Sequence, residues 1–245
     1  MQKAEINKLM ENGMKKGILA LSIAAALASP MSAHAEAGDW VVRVRAVNVM
    51  PHESSSLGSD VNKAYGALMT PSADLAVDNN IIPELDISYY FTKNIAAELI
   101  LALGTEHDVS IVGDSAGAVG NQNLGEVDLL PPTLTVQWHF RPDEMVDPYV
   151  GAGLNYTIAL DRHLKGSAGA INGSKIKIER DSIGYALQAG VDINLDGGWL
   201  VNFDAKYLDI DTDVKLDLAN NGDWRKIDDL DVNPWVLGVG IGKKF

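Results

Sequence analysis

No cysteine occurs anywhere in the 245 residues, so neither a disulfide framework nor a thiolate metal site can hold this chain together. Long apolar runs are missing as well. The longest, Ile18 to Ala28, is interrupted by Ser22 and falls short of the roughly 18 to 20 residues with which a helix crosses a bilayer. A transmembrane helix is excluded, but a transmembrane barrel is not, because each of its strands needs only about 10 residues and only every second one faces lipid. Positive charge is scarce too. With 20 Lys and Arg against 33 Asp and Glu the formal charge is −13, which suits no nucleic-acid partner, since phosphates are bound by basic surfaces.

What is present begins with a secretory signal. Lys15 and Lys16 form its charged end, Gly17 to Ala28 its apolar stretch, and Ala33-His34-Ala35 an A-x-A cleavage site. The signal is therefore expected over 1–35 and the mature domain over 36–245. Met14, followed directly by Lys15-Lys16, is as good a signal start as Met1. The leader sets Lys3, Lys8, Lys15 and Lys16 against Glu5 and Glu11, which leaves −15 on the remainder.

Period-two alternation dominates that remainder. From Ile183 to Leu195 the odd positions are Ile183, Tyr185, Leu187, Ala189, Val191, Ile193 and Leu195; the even ones are Gly184, Ala186, Gln188, Gly190, Asp192 and Asn194. The next segment sets Trp199, Val201, Phe203, Ala205 and Tyr207 against Asn202, Asp204 and Lys206. Aromatics stand at both ends of its apolar face, where two water–lipid interfaces hold rings with a polar edge. Similar alternation runs through Trp40 to Val49, Glu84 to Phe91, Ile95 to Gly104, Thr133 to Phe140, Tyr149 to Leu160 and Trp235 to Phe245, giving eight segments in all. Their connections alternate in length. Thr92-Lys93-Asn94, Arg141 to Pro148 and Asp196-Gly197-Gly198 are short, whereas Met50 to Pro83, Thr105 to Pro132, Asp161 to Ser182 and Leu208 to Pro234 are long and read as loops. Short periplasmic turns and long external loops are the signature of an antiparallel outer-membrane barrel.

A soluble sandwich or lipocalin-like barrel also alternates, but it turns its apolar face inward and should line its outer face with Lys, Glu and Thr. Here the second face carries Gly151, Gly153, Gly184, Gly190, Gly238, Gly240 and Gly242. Glycine weakens a strand unless something must approach closely, and a narrow lumen that also holds Arg43 and Arg45 supplies that reason. The expected fold is all-β, an eight-stranded antiparallel transmembrane β-barrel with long extracellular loops, in the cell outer membrane.

Several blocks then carry a resemblance: Gly38-Asp39-Trp40, Pro83-Glu84-Leu85-Asp86-Ile87, Phe91 to Leu99, Leu130-Pro131-Pro132-Thr133-Leu134, Pro148 to Tyr156, and Asp209-Ile210-Asp211-Thr212-Asp213. Taken together they resemble the OmpW family. The resemblance implies an eight-stranded outer-membrane barrel with a narrow, largely apolar channel for small hydrophobic molecules; the related AlkL proteins are linked to alkane uptake. Phe245, with Trp235, Leu237, Val239 and Ile241 at alternate positions before it, matches the carboxyl-terminal pattern read by the barrel-assembly machinery. Lys243 departs from it, since family members often carry an aromatic there, and its ammonium is expected to snorkel into the headgroups.

Other motifs point nowhere further. Asp209, Asp211 and Asp213 imitate the start of a calcium loop, but Val214 replaces the required glycine and position twelve is Asn220, so a solvated loop edge is expected. His52, His107, His139 and His163 lack ligand spacing on one element. Gly151-Ala152-Gly153 lies inside a strand and opens no helix. Ser, His and Asp are scattered through loops, so no catalytic residue, metal site or cofactor is expected.

With both termini on the periplasmic side, the inward residues divide into two levels. Arg43, Arg45, Asp86, Glu98, Asp192 and Asp204 are expected to form a salt-bridged polar plug, the arginines pairing among Asp86, Glu98 and Asp204. Val47, Val49, Ile100, Ala102, Ala186 and Val236 should line an apolar vestibule above it. Counting along the strand puts Glu84 and Asp86 level with that vestibule. An eight-stranded barrel is just wide enough for its side chains to fill, so it is no open pore. The reading is a narrow channel for passive uptake of small hydrophobic solutes with lateral exit into the membrane, its surroundings being lipid and lipopolysaccharide. The alternative is a non-transporting structural or adhesive barrel acting through its loops.

Overall fold

The computed structural model describes residues 36–102 and 105–245. The expected signal peptide lies outside them. Eight long antiparallel strands close into a barrel: β1 (Trp40–Met50), β3 (Asn80–Tyr90), β4 (Ile95–Ala102), β7 (Thr133–His139), β8 (Val146–Asp161), β11 (Asp181–Asn194), β12 (Trp199–Leu208) and β15 (Trp235–Lys244). Each pairs with the next, and β15 returns to β1, from Val41↔Lys244 to Met50↔Trp235. Reciprocal backbone bonds between Trp40 and Phe245, at 3.0 and 2.8 Å, extend that seam to the last residue.

The alternation decides which way each side chain points. Val44, Leu99, Leu134, Val136, Leu154, Leu187, Phe203, Val239 and Ile241 project outward and are exposed, a belt that only a hydrocarbon surrounding can cover. Aromatic rows flank it: Trp40, Tyr89 and Phe91 pack at 4.9 and 5.1 Å at the short-turn end, and Tyr185, Tyr207 and Trp235 at 6.1 and 5.5 Å at the other. Inward glycines make room for arginine. Gly242 stands opposite Arg43 and Gly240 opposite Arg45; a Cβ on Gly240 would come within 2.2 Å of the Val44 carbonyl oxygen.

The long connections differ from the loops read in the sequence. They contain β2 (Asp74–Val77), β5 (Thr105–Val112), β6 (Gln122–Leu130), β9 (His163–Lys165), β10 (Lys175–Ile178), β13 (Asp211–Asp217), β14 (Arg225–Asp231) and helix α1 (Leu57–Tyr65). The order β9-β10-β13-β14 repeats the barrel order β8-β11-β12-β15, and β2-β5-β6 repeats β3-β4-β7. The wall thus continues past the aromatic row into an ordered lobe. Its core is made of the inward members of short alternations, among them Leu75, Val109, Ile111, Val127, Leu164, Ile176, Val214, Leu216 and Leu230. Asp211 and Asp213 consequently sit in a strand instead of a loop edge, and Lys226 pairs with Asp213 at 2.7 Å.

Among the described residues, no strand continues β1 into the lobe. α1 closes that side instead, packing against β14 and β2 through Leu57 and Val61. It is tied to β14 at its start, where Asp228 accepts from the Ser55 hydroxyl and from the Ser56 amide, the latter at 2.8 Å. Burial pushes the Asp228 carboxyl up to about 6 despite those two bonds, with Asp60 and Asp74 adding repulsion.

Candidate functional site

Toward the short turns, the inward side chains form a hydrogen-bonded ionic plug. Arg43 Nη2 lies 2.5 Å from Asp192 Oδ2; its Nη1 lies 3.1 Å from Glu98 Oε2 and donates to Ser88 Oγ at 2.6 Å. Arg45 Nη1 lies 3.0 Å from Asp86 Oδ2, 3.2 Å from Glu84 Oε1 and 3.3 Å from Glu98 Oε1, while its Nε donates to Asn202 at 2.6 Å. Glu98 is the hub. Ser88, Gln137 and Gln188 also donate to it, at 3.0, 2.9 and 3.1 Å. Such a density of buried charge is tolerable only because pairing and hydrogen bonds offset desolvation.

Arg43, Arg45, Asp86, Glu98, Asp192 and Asp204 all meet here, but the pairing differs from that expected: Asp192 and Glu84 join Glu98 and Asp86 as arginine partners, and Asp204 does not. Asp204 accepts from Lys206 at 2.8 Å, the Tyr149 hydroxyl at 2.6 Å and Gln188 at 2.8 Å, and forms no direct pair with either arginine. Lys206 is two residues along the same inward face of β12, so its ammonium reaches Asp204 first. That shared parity is also the signal that places Lys206 in the plug, where the sequence reading leaves it out. Tyr149, Gln188 and Asn202 belong to the same network. Asp86 is the exception to the dense bonding: both its oxygens are buried without a hydrogen-bond partner among the described residues, and its contact with Arg45 is ionic alone.

The plug extends to the short-turn mouth. His139 Nδ1 lies 2.7 Å from Asp147 Oδ2, and the His139 ring packs between Tyr90 and Tyr149 at 5.0 Å from each. Val41, Tyr90, Ala96 and Leu200 pack below. Among the described residues, no group of three or more His, Cys, Asp or Glu is placed to hold a metal ion.

Toward the lobe the lumen becomes apolar. Val47, Ile82, Ala102, Ala186, Leu208, Ile210 and Val236 pack together, with half-buried Val49 against them. Above the plug lies a cavity of about 100 Å³ lined by Val47, Val49, Ile82, Ile100, Ala102, Leu208 and Val236 from the barrel and by Leu75, Val109, Val127, Leu164, Val214 and Leu230 from the lobe. Ala186 packs in the cluster without lining the cavity. The vestibule is thus one chamber under a folded lobe. The height assigned to two acids changes as well. Asp86 is in register with Arg43 and Glu84 with Arg45, so Asp86 lies within the plug and Glu84 forms the chamber floor with Lys206. Neighbouring strands of a tilted barrel are staggered, so counting along one strand misplaces its residues against the next.

On one side the ladder between described residues is interrupted. The pairing of β4 with β7 ends at Ile100↔Thr133, and the next two residues before Thr133 are Pro131 and Pro132, which have no N–H to continue it. Pro131 and Thr133 both line the chamber.

The OmpW family model matches residues 36–245. Outer membrane protein W of Vibrio cholerae serotype O1 is 35% identical over 234 residues, covering 95% of this chain and all of that protein. Outer membrane protein AlkL of Ectopseudomonas oleovorans is 31% identical over 209 residues, 85% of this chain and 83% of AlkL. The crystal structure of the outer membrane protein OprG from Pseudomonas aeruginosa superposes with a TM-score of 0.72 at 29% identity, covering 88% of this chain and 99% of OprG.

Proposed function

The chain belongs to the OmpW family and is a β-barrel of the outer membrane, and from that premise we propose that it is a passive conduit for small hydrophobic molecules. The observation that carries the reading is the single apolar chamber running from lobe to vestibule above a plug of paired charges. At roughly 10–15 Å³ for each water-sized occupant, the chamber has room for a molecule of several heavy atoms. An apolar solute gains there what it gains from leaving water, about 25 cal/mol per Å², and meets ions if it continues down the axis. Exit is therefore sideways, and Pro131-Pro132 marks the place. No step of this path needs a catalytic group. Lipid and lipopolysaccharide surround the barrel, and Phe245 is the residue proposed to present it to the assembly machinery.

A photoreactive alkyl diazirine tests the path in the assembled barrel. Peptides containing Val47, Ile82 and Leu208 should be labelled, together with those around Pro131 and Thr133, and Asp192 and Asn202 should not. Labelling confined to the outward belt would leave the structural or adhesive barrel as the better account.

A further inference from the structure

On the plug side of the chamber, charge reaches the wall at the floor, through Glu84 and Lys206, while Glu179, Arg180 and Asp181 line it toward the lobe. Lys206 Nζ donates to Glu84 Oε1 at 2.6 Å and to Asp204 Oδ1 at 2.8 Å, which uses two of its three hydrogens. Among the described residues nothing donates to Glu84 Oε2. The floor thus offers one unused donor beside one unused acceptor, a pair that a hydroxyl group, itself donor and acceptor, can satisfy at once.

The charge beneath the floor favours one kind of head over another. Glu84, Asp86, Glu98, Asp192 and Asp204 are buried in the plug, whereas its buried cations are Arg43, Arg45 and Lys206. Carboxylates are in excess, and Asp147, Lys243 and Lys244 at the short-turn mouth reduce that excess without reversing it. A carboxylate placed on Lys206 would also face Glu84 at contact distance. In surroundings of low dielectric such like-charge contact is strongly unfavourable, and a neutral head escapes it.

We propose that the chamber is a site for amphipathic molecules ending in a hydroxyl, with the head on the Glu84–Lys206 floor and the apolar tail among Val47, Ile82, Leu208 and Val236, and that it discriminates against the carboxylate of the same chain length. This rests on the conduit reading and names the substrate class within it. The preference resides in this chain's own floor, because the other hydroxyls on the barrel wall, those of Thr133, Thr157 and Ser182, already donate to Pro131, Asn155 and Asp211.

The test is uptake of octane, 1-octanol and octanoate at neutral pH by cells carrying equal amounts of heat-modifiable, assembled barrel, with cells lacking it as the baseline. Barrel-dependent uptake of octanol should exceed that of octanoate by roughly tenfold or more. Replacing the pair together, Glu84→Leu with Lys206→Met, which leaves neither donor nor acceptor at those two positions, should bring the ratio of octanol to octane close to that of cells without the barrel. Asp86→Asn takes no hydrogen bond from the floor and removes one carboxylate, so it should narrow the ratio of alcohol to carboxylate severalfold; it serves also if the double variant does not assemble. Equal uptake of alcohol and carboxylate through the parent barrel, or an unchanged ratio in Asp86→Asn, overturns the inference. Barrel-dependent octane uptake alongside that outcome leaves the conduit standing. If none of the three compounds depends on the barrel, both readings fail.

Discussion

Lys243 folds its ammonium over the Trp199 indole, 5.2 Å from the ring centroid, and donates to the Gly197 carbonyl in the short turn before β12. It is buried rather than extended into the headgroups, because the turn carbonyl offers its charge a fixed partner beside an aromatic face. Lys243→Tyr should therefore lower assembly modestly instead of improving it, at a cost of about 1–3 kcal/mol for a lost charged hydrogen bond. Deleting Phe245 should lower it more, since that removes both backbone bonds to Trp40 at the closing seam. The heat-modifiable band on a gel measures both; a tyrosine variant that assembles better than the parent contradicts this account of the rim.

Glu98 and Asp86 are both buried in the plug, yet they should respond very differently to loss of charge. Glu98→Ala leaves Arg43 and Arg45 short of a shared partner and strands three polar donors. A broken buried pair costs about 3–5 kcal/mol, so the urea midpoint of refolding in detergent should fall substantially. Asp86→Asn should change it by about 1 kcal/mol or less, because no hydrogen bond is lost and Arg45 keeps Glu84 and Glu98 as charged partners. Equal destabilisation by the two would remove Glu98 from its position as hub.

The eight barrel strands were legible because each has one face in lipid and one in a narrow lumen, which writes a period of two over eight or more residues in nearly every strand. Trp199 to Tyr207 shows it plainly. The lobe strands were not legible for the opposite reason: β9 and β10 are only three and four residues long, and their outward Lys165, Lys175 and Lys177 read as loop charge. The plug residues could be collected from parity, but their partners could not. Barrel stagger sets which strands' residues share a height, and the sequence of one strand does not contain it.

The lobe should depend on pH through Asp228. A carboxyl raised to about 6 in the docked state, against about 4 for an ordinary aspartate, binds its proton more tightly when α1 is docked. Its favourable contribution is complete below the ordinary value and is lost as pH rises through about 6. Hydrogen exchange at the amides from Ser56 to Tyr65, corrected for intrinsic rate, should be slower at pH 5 than at pH 7.5, by up to roughly hundredfold in the opening equilibrium. Asp228→Asn should flatten the dependence. Exchange slower at the higher pH would contradict the assignment.

The conduit itself is tested most directly by placing charge in the chamber wall. Val47 and Ile100 are fully buried inward residues whose strands present unchanged faces to lipid, so Val47→Asp and Ile100→Lys should still insert, while an unpaired charge there costs several kcal/mol or recruits water. The measurement is uptake of a hydrophobic tracer by cells carrying equal amounts of assembled parent or variant barrel. The expected result is rapid uptake through the parent and a fall in both variants toward the level of cells without it; variants that transport as well as the parent, or a parent no faster than the barrel-free cells, would contradict the account.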